Sequence, residues 1–462
     1  MDTVLQIFRK LCTVPHPTFY QIPMKNLIIS ILEENKISYV TDEAHNIVGY
    51  IPATKNCIQS KTLCLQAHYD MVFVSDNNQD AKTAQIITRI DGEYLKATHT
   101  SLGADNCAGL ASILSLFISK LDGQELNCIP FEHGPIELLF TADEEIGLTG
   151  AKNLTIPLKS SAMINTDCED FHNIIVGSAG GDMKRYIKTL QLEQIPDDFC
   201  KLKIIYSDFK GGHTGFDLCK NRVNLGKLIF RTLYLLDCFI LKLDIGQQIN
   251  AMPFKADVEI AVKKQDLQAA QEIIKNTYQL FTQFVNDKGS ICVITEKLDI
   301  TQGILYESIK ELGICEQEAL MMYQEYEVPC LSTFLTIVQL TGSNLSFSLF
   351  SRSNSNLGIQ FMQQTLGKLF NSYKLEMQQD HMCWEPKQSS LLETVKKVYK
   401  EYKVTIVHAC YETSYLVRNT DLEAVSIGPE IHNPHSVNEE LHIEKFILFT
   451  QDLKNVVEMF AK

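Results

Sequence analysis

Residues 136–142, IELLFTA, make an apolar run of strand length that stops on three consecutive acids, Asp143, Glu144 and Glu145. A run of this kind fits a strand buried inside a sheet. Adjacent carboxylates, in contrast, raise one another's pKa unless solvent or a cation compensates. The same ending recurs along the chain. TLCLQAH closes on His68 and Asp70, and AMINTD closes on Asp167. Between these runs the pattern switches to a helical period, in KNLIISILEEN and in NCAGLASILSLFISKL. Strands alternating with helices imply an α/β sheet.

The texture changes in the middle of the chain. Residues 184–385 hold strands such as KLKIIYSD and ADVEIAVKK and the amphipathic helix LQAAQEIIKNTYQLFTQFV, an α+β style. Residues 386–462 return to the first style, with LLETVKKVYKEY, VTIVHA and EAVSIGP. An α+β domain inserted into an α/β domain with a mixed sheet flanked by helices explains this order, with boundaries at 1–183, 184–385 and 386–462. A chain of 462 residues that is 45% hydrophobic has enough apolar material for two cores.

Charge and composition exclude several classes. A net charge of −14 with no Lys/Arg cluster argues against nucleic acid as a partner. No run approaches the ~18 apolar residues of a membrane span, and MDTVLQIFRKLCTVPHP has no secretory pattern, so the expectation is a soluble, cytoplasmic chain with no membrane partner. The 14 cysteines form no C-x-x-C pair and read as reduced, small core residues.

The polar breaks form one set. His68 and Asp70, Asp105 in TSLGADNCAG, the acid triplet, Asp167, and His435 in GPEIHNPHSVNEE all fall at strand carboxyl ends or in the loops beside them. Open α/β sheets build their sites at that edge. Taken singly, each has a plainer reading as a turn residue or helix cap, and the triplet as a solvated turn. Together, His, Asp, Glu, Asp and His make a nitrogen and oxygen set without sulfur. That set suits zinc, with manganese or cobalt as alternatives. Five such groups fit two ions sharing one carboxylate, ~3.5–4 Å apart.

The pieces AHYDMV, TSLGADNCAG, FTADEEIGLTGA, INTDCED, VGSAGG and GPEIHNPHSVNEE resemble, in order, the motifs of the M20 family of metallopeptidases. Within it they are most similar to the aminoacyl-histidine (Xaa-His) dipeptidases, from LCTVPHPT to NEELHIEKF. The resemblance implies a di-zinc catalytic domain interrupted by a lid domain, in agreement with the insertion above. It gives one zinc His68 and Asp167 and the other Glu145 and His435, with Asp105 bridging. It makes Asp70 the carboxylate that fixes the His68 imidazole, and Glu144 the general base for the metal-activated water. It also implies a cis bond after Asp105. Asp143 receives no role and is expected to be a solvated or capping side chain.

For the inserted domain the resemblance makes His213 in KGGHTG an oxyanion donor, Asn250 in INAMP a substrate contact, and Arg352 in SLFSRSN the clamp on a substrate carboxylate. Plainer readings are a glycine turn for His213 and a surface arginine for Arg352. Glu412 in VHACYE matches a glutamate that meets the substrate's amino group. Departures fall at Cys107 and Ala108, where relatives read ADNGIG, at Cys410 and Tyr411, where they read GLE, at Phe254, where NAIPRE is usual, and at Val437 and Asn438 in place of HSPDE. The expectation is a metallo-dipeptidase acting on small peptides, as monomer or homodimer. The alternatives are a hydrolase of N-acyl amino acids and a degenerate member that binds peptide without turnover. No G-x-S-x-G elbow supports a nucleophilic hydrolase.

Overall fold

In the computed structural model, which describes residues 2–285, 287–315, 317–418 and 420–462, the chain divides into two compact units. The first contains Met1–Gly177, Pro386–Ile406 and Tyr411–Lys462; the second contains Ser178–Glu385 and Val407–Cys410. A short segment of the returning chain, residues 407–410, thus belongs to the second unit.

The first unit is built on an eight-stranded mixed sheet. At its centre Ile136–Thr141, Leu63–His68, Ala162–Asn165 and Glu423–Ser426 lie side by side, each parallel to its neighbour. Antiparallel strands flank this centre, Ile47–Ile51 beside Ile136–Thr141 and Asn173–Ser178 beside Glu423–Ser426. Every residue of Leu63–His68 and Ile136–Thr141 is buried. That explains why their sequences do not alternate, because strands covered on both faces need no alternation, although each also buries polar residues, Gln66 in the first and Glu137 in the second. The helix Ala104–Phe117 packs beside Leu63–His68, and the helices Thr3–Leu11 and Ile443–Phe460 pack against it in turn. Phe8 and Phe446 meet edge to face between them, 5.9 Å apart.

Four parallel strands have their carboxyl ends on one edge, and this topology does the positioning. The acid triplet follows Ile136–Thr141, Asp167 follows Ala162–Asn165, and His68 is the last residue of its strand. His435 arrives differently. It sits in the turn joining Ile431–His432 to Glu440–His442, two strands of a small sheet that also contains Tyr94–Ala97.

The second unit carries an eleven-stranded antiparallel sheet with helices, including Leu225–Tyr234, Leu267–Thr282 and Asn356–Leu369. Alternation along Phe199–Ser207 and Ala256–Lys263 sends one face into a core that holds Tyr186, Phe347, Phe370 and Tyr373 in mutual ring contact. Burying each such ring stabilises the unit by roughly 1.5–3 kcal/mol. Local signals agree with these elements. Asn224 caps Leu225–Tyr234 by accepting from the Lys227 N–H at 3.0 Å, as Ser389 caps Ser390–Val398 in the first unit.

Candidate metal centre and its surroundings

Asp105 occupies the first turn of the helix Ala104–Phe117, and its bond to Asn106 is cis. Its two carboxylate oxygens face different imidazoles. Oδ1 lies 3.1 Å from His68 Nε2, and Oδ2 lies 3.2 Å from His435 Nε2. Asp167 Oδ1 approaches the same His68 nitrogen at 3.1 Å, and Glu145 Oε2 approaches His435 Nε2 at 3.0 Å. Among the described residues, His68, Glu144 and Glu145 form one group with ligand atoms within 4.8 Å of one another, and there are two more, His68 with Asp105 and Asp167, and Asp105 with Glu145 and His435. Asp105 belongs to the last two. Glu144 stands further back, with Oε2 4.0 Å from His68 Nε2.

The electrostatics describe a site built for cations. Burial pushes the carboxyls of Glu144 and Asp167 well above the usual range and raises Glu145 as well. Burial opposes charge on both imidazoles, yet the carboxylates around them prevail. His68 is held well above its usual value, chiefly by Asp167 and Asp105, and Asp105 and Glu145 lift His435 to about 11. Groups that favour protons in this way would release them on binding metal ions. Asp167 Oδ1 is buried with no hydrogen-bond partner, since its approach to His68 lacks hydrogen-bonding geometry. A buried carboxylate oxygen without a donor is costly unless a cation takes that place. The donor set and this orphaned oxygen fit a pair of divalent ions.

Backbone and side chains around the cluster hold these groups still. Asp70 Oδ1 accepts the Glu144 N–H at 2.9 Å, while its Oδ2 accepts the Glu145 N–H at 3.3 Å and the Thr18 hydroxyl at 2.9 Å. The His68 Nδ1–H is taken by the backbone carbonyl of Asp70 at 3.1 Å, because the carboxylate, at 3.6 Å, is beyond hydrogen-bond reach. Asp70 thus fixes the imidazole through its main chain and the acid pair through its side chain. Burial works to raise the Asp70 carboxyl, but His68 and its N–H and hydroxyl donors outweigh burial and keep it below the usual range.

Asp143 differs from expectation. It is 7% exposed, adopts a left-handed backbone with φ 51°, and accepts from the Phe19 N–H at 2.7 Å and the Gln21 amide at 2.8 Å. A loop ahead of the first long helix thus reaches the triplet, which local sequence could not announce. Gly150 closes the acid loop by donating its N–H to the Ala142 carbonyl, and a Cβ there would fall 2.2 Å from that oxygen.

Sequence reasoning passed over Glu439. It is 3% exposed, and its carboxylate accepts from the N–H groups of Leu102, Gly103 and Ala104 at 2.7, 2.9 and 2.7 Å and from that of Asp105 at 3.3 Å. Burial raises it to about 7 against the pull of those N–H groups. The signal was its place four residues after His435, which lets one segment carry His435 and brace Asp105. Two departures also acquire a place. Cys107 Sγ lies 3.3 Å from Nε2 of the buried His16, and the Tyr411 hydroxyl donates to the Asp167 carbonyl at 2.7 Å. Burial lifts the Cys107 thiol to about 12, so it is no nucleophile.

Glu412, assigned by resemblance to the substrate's amino group, is closed to solvent. Its Oε1 accepts from the Gln66 amide and its Oε2 from the Thr141 hydroxyl at 2.7 Å.

Within the second unit His213, Arg352 and the Asn250 backbone come together. Gly212–His213 pairs with Ala251–Met252, and the Asn250 carbonyl accepts the Thr214 N–H at 3.0 Å, while residue 250 itself is exposed. Arg352 is 2% exposed, not a surface arginine. Its Nε donates to the Thr214 hydroxyl at 3.2 Å, Nη1 meets Cys410 Sγ at 3.6 Å, Nη2 lies 3.1 Å from His213 Nε2, and the guanidinium stacks on Phe350 at 4.1 Å. No carboxylate among the described residues pairs with it.

The model of peptidase family M20/M25/M40 matches residues 64–462. Over 479 aligned residues the chain is 29% identical to the cytosol non-specific dipeptidase of Escherichia coli (strain K12), covering 97% of this chain and 96% of that protein. Its fold superposes on the crystal structure of aminoacylhistidine dipeptidase from Vibrio alginolyticus with a TM-score of 0.83 at 26% identity, covering 99% of this chain and 96% of that one. Aminopeptidase PepT from Bacillus cereus shares the fold more distantly, with a TM-score of 0.50 at 14% identity, covering 100% of this chain and 98% of that one.

Glu439→Ala should strip four N–H groups of their acceptor and leave them buried. It should lower unfolding stability by about 1–3 kcal/mol and loosen the turn that carries Asp105. Denaturant unfolding of metal-free protein measures the first effect, and an unchanged midpoint would show that the N–H groups find other acceptors.

Proposed function

The chain belongs to peptidase family M20/M25/M40, and we propose from that premise that it is a cytoplasmic di-metal dipeptidase cleaving Xaa-His or more general dipeptides. The observation that carries the reading is Asp105, whose two oxygens face His68 and His435 separately, as a bridge between two ions requires. The named activities of the Escherichia coli and Vibrio alginolyticus relatives, similar over nearly their whole lengths, support the substrate class. No helix among the described residues is long and apolar enough to cross a membrane.

His68 and Asp167 would hold one ion, Glu145 and His435 the other, with Asp105 shared; zinc suits this donor set, with manganese or cobalt as alternatives. Bound ions would supply Lewis acidity and a lowered pKa for water at the site. The protein's own part follows from its residues. Glu144 is close to the cluster, its Oε2 4.0 Å from His68 Nε2, and burial raises its affinity for a proton. It is suited to take the proton of the attacking water and pass it to the leaving amine. Asp70 keeps the neighbouring glutamates apart in role by holding both their N–H groups. In the inserted unit the resemblance gives His213 the oxyanion of the tetrahedral intermediate and Arg352 the substrate's terminal carboxylate, with Asn250 as a further contact. A buried guanidinium without a carboxylate partner supports an anion as its ligand.

Metal-free protein should be inactive on a panel of dipeptides and N-acetyl amino acids, and zinc, manganese or cobalt should restore dipeptide turnover. Full turnover in protein shown to be metal-free by elemental analysis would end the di-metal reading. Turnover confined to N-acetyl amino acids would instead favour the acylase alternative.

Glu144→Gln should keep the parent's metal content and lose about 10²-fold or more in kcat, since an amide cannot accept the proton. Glu145→Gln should lose metal first, with activity partly regained in excess metal. Bound metal and kcat on both variants decide the assignment, and the opposite pattern would exchange base and ligand.

Arg352→Ala should raise KM strongly for dipeptides with a free terminal carboxylate and much less for their amides. Equal effects would remove the clamp role. In the same assays His213→Ala should depress kcat more than KM, and a parent-like kcat would return it to a turn residue.

A further inference from the structure

The central strands carry a polar layer inside an apolar sheet. Gln66, Asn165 and Ser426 are direct cross-strand partners in Leu63–His68, Ala162–Asn165 and Glu423–Ser426, and all three are fully buried. Thr141, at the end of the next strand, is equally buried. Along each strand the residue two positions on shares the same face. Counting on from Gln66, that residue is His68, and Asp167, two residues past the end of Ala162–Asn165, meets His68 Nε2 at 3.1 Å. The layer therefore lies one level beneath the metal cluster.

Its hydrogen bonds run in one direction. Amide nitrogens only donate, so Gln66 Nε2 must give its protons to Glu412 Oε1 and, at 3.0 Å, to Thr141 Oγ1. The Thr141 hydroxyl then donates to Glu412 Oε2 at 2.7 Å. With its nitrogen committed, Gln66 turns Oε1 toward Asn165, whose Nδ2 donates to it at 2.5 Å. That leaves Asn165 Oδ1 to accept from Ser426 Oγ and from the backbone N–H of Asp167 at 3.1 Å. Flipping either amide would set an NH₂ group against another donor. Each step follows from the one before it, and the first follows from Glu412, both of whose oxygens accept when it is ionised.

We propose that Glu412 is a positioning residue whose buried carboxylate orients the chain Thr141, Gln66, Asn165 so that it ends on the Asp167 N–H and fixes that carboxylate for metal binding. A layer that served only strand register would need no acceptor from outside the sheet. Glu412 comes from the turn ahead of the short helix Thr413–Leu416, not from a strand. The Tyr411 hydroxyl, from the preceding residue, holds the carbonyl of the same Asp167. Adjacent residues thus secure both sides of one ligand, its N–H through the chain and its C=O directly.

This inference rests on the reading of His68, Asp105 and Asp167 as metal ligands, and the experiment separates the two. Metal-free parent protein is titrated with zinc by calorimetry and with cobalt by visible absorption; a parent that takes up no ions sinks the di-metal reading itself. With the parent binding two, Glu412→Gln and Asn165→Ala should each weaken the same one of the two ions by about 10–100-fold. Both should alter the cobalt spectrum and leave KM at saturating metal near the parent's. Asn165→Ala removes no charge, so its sharing the effect distinguishes orientation from simple loss of a negative group. The double variant should be no weaker than the worse single one, because both break one chain. Thr141→Val, which deletes one bond and keeps the shape, should show a smaller loss at the same ion and serves if the other variants fail to fold. Parent-like metal affinity with only a lowered unfolding midpoint would overturn the proposal. So would parent-like metal affinity with a raised KM, which would return Glu412 to the substrate.

Discussion

Four carboxylates, those of Asp105, Glu144, Glu145 and Asp167, are gathered around two imidazoles where little solvent reaches all but His435. Two like charges 4 Å apart repel by on the order of 4 kcal/mol at an effective dielectric near 20. Without ions, the cluster holds itself together with protons. The carboxyls of Glu144 and Asp167 are pushed up, and His68 and His435 keep their charge. Cations in place of those protons would satisfy the same geometry, including the orphaned oxygen of Asp167. The rest of the first unit serves to keep these groups from relaxing apart.

The restraint comes mainly from carboxylates outside the cluster. Asp70 holds the main chain of Glu144 and Glu145, Glu439 holds the turn into Asp105, and Asp143 ties the acid loop to Phe19 and Gln21. Each grips at least one backbone N–H group, and Asp70 and Asp143 accept from the Thr18 hydroxyl and the Gln21 amide as well. Backbone bonds position a ligand without competing for its oxygens, which remain free for cations. The arrangement places further negative groups close to the cluster, so the folded protein has additional reason to recruit positive charge.

The second unit solves the opposite electrostatic problem. Arg352 is buried between Phe350, Thr214, His213 and Cys410, and no acid among the described residues pairs with it. Burial lowers its pKa only from a very high value, so the guanidinium stays charged. The fold around it, through the Thr214 hydroxyl and the Phe350 ring, holds this buried cation in place.

Much of this was legible in the chain. Apolar runs predicted three of the central strands within a residue or two and the fourth, read as EAVSIGP, within three, because strands covered on both faces are mostly apolar. Acids and histidines at strand ends pointed to one edge, since a parallel sheet gives its carboxyl ends a common side. The bracing was not legible. Gln66 and Asn165 appear in sequence only as polar flaws in apolar runs, and Glu439 only as one more acid near the C-terminus. Tertiary contact alone tells a buried acceptor from a solvated one, and that is why Asp143 turned out buried and Glu412 enclosed. Residue type and spacing determined which groups could bind metal, through chemistry each carries alone. Which carboxylates would instead hold the backbone depended on N–H groups supplied from distant parts of the chain, and only the folded structure brings those together.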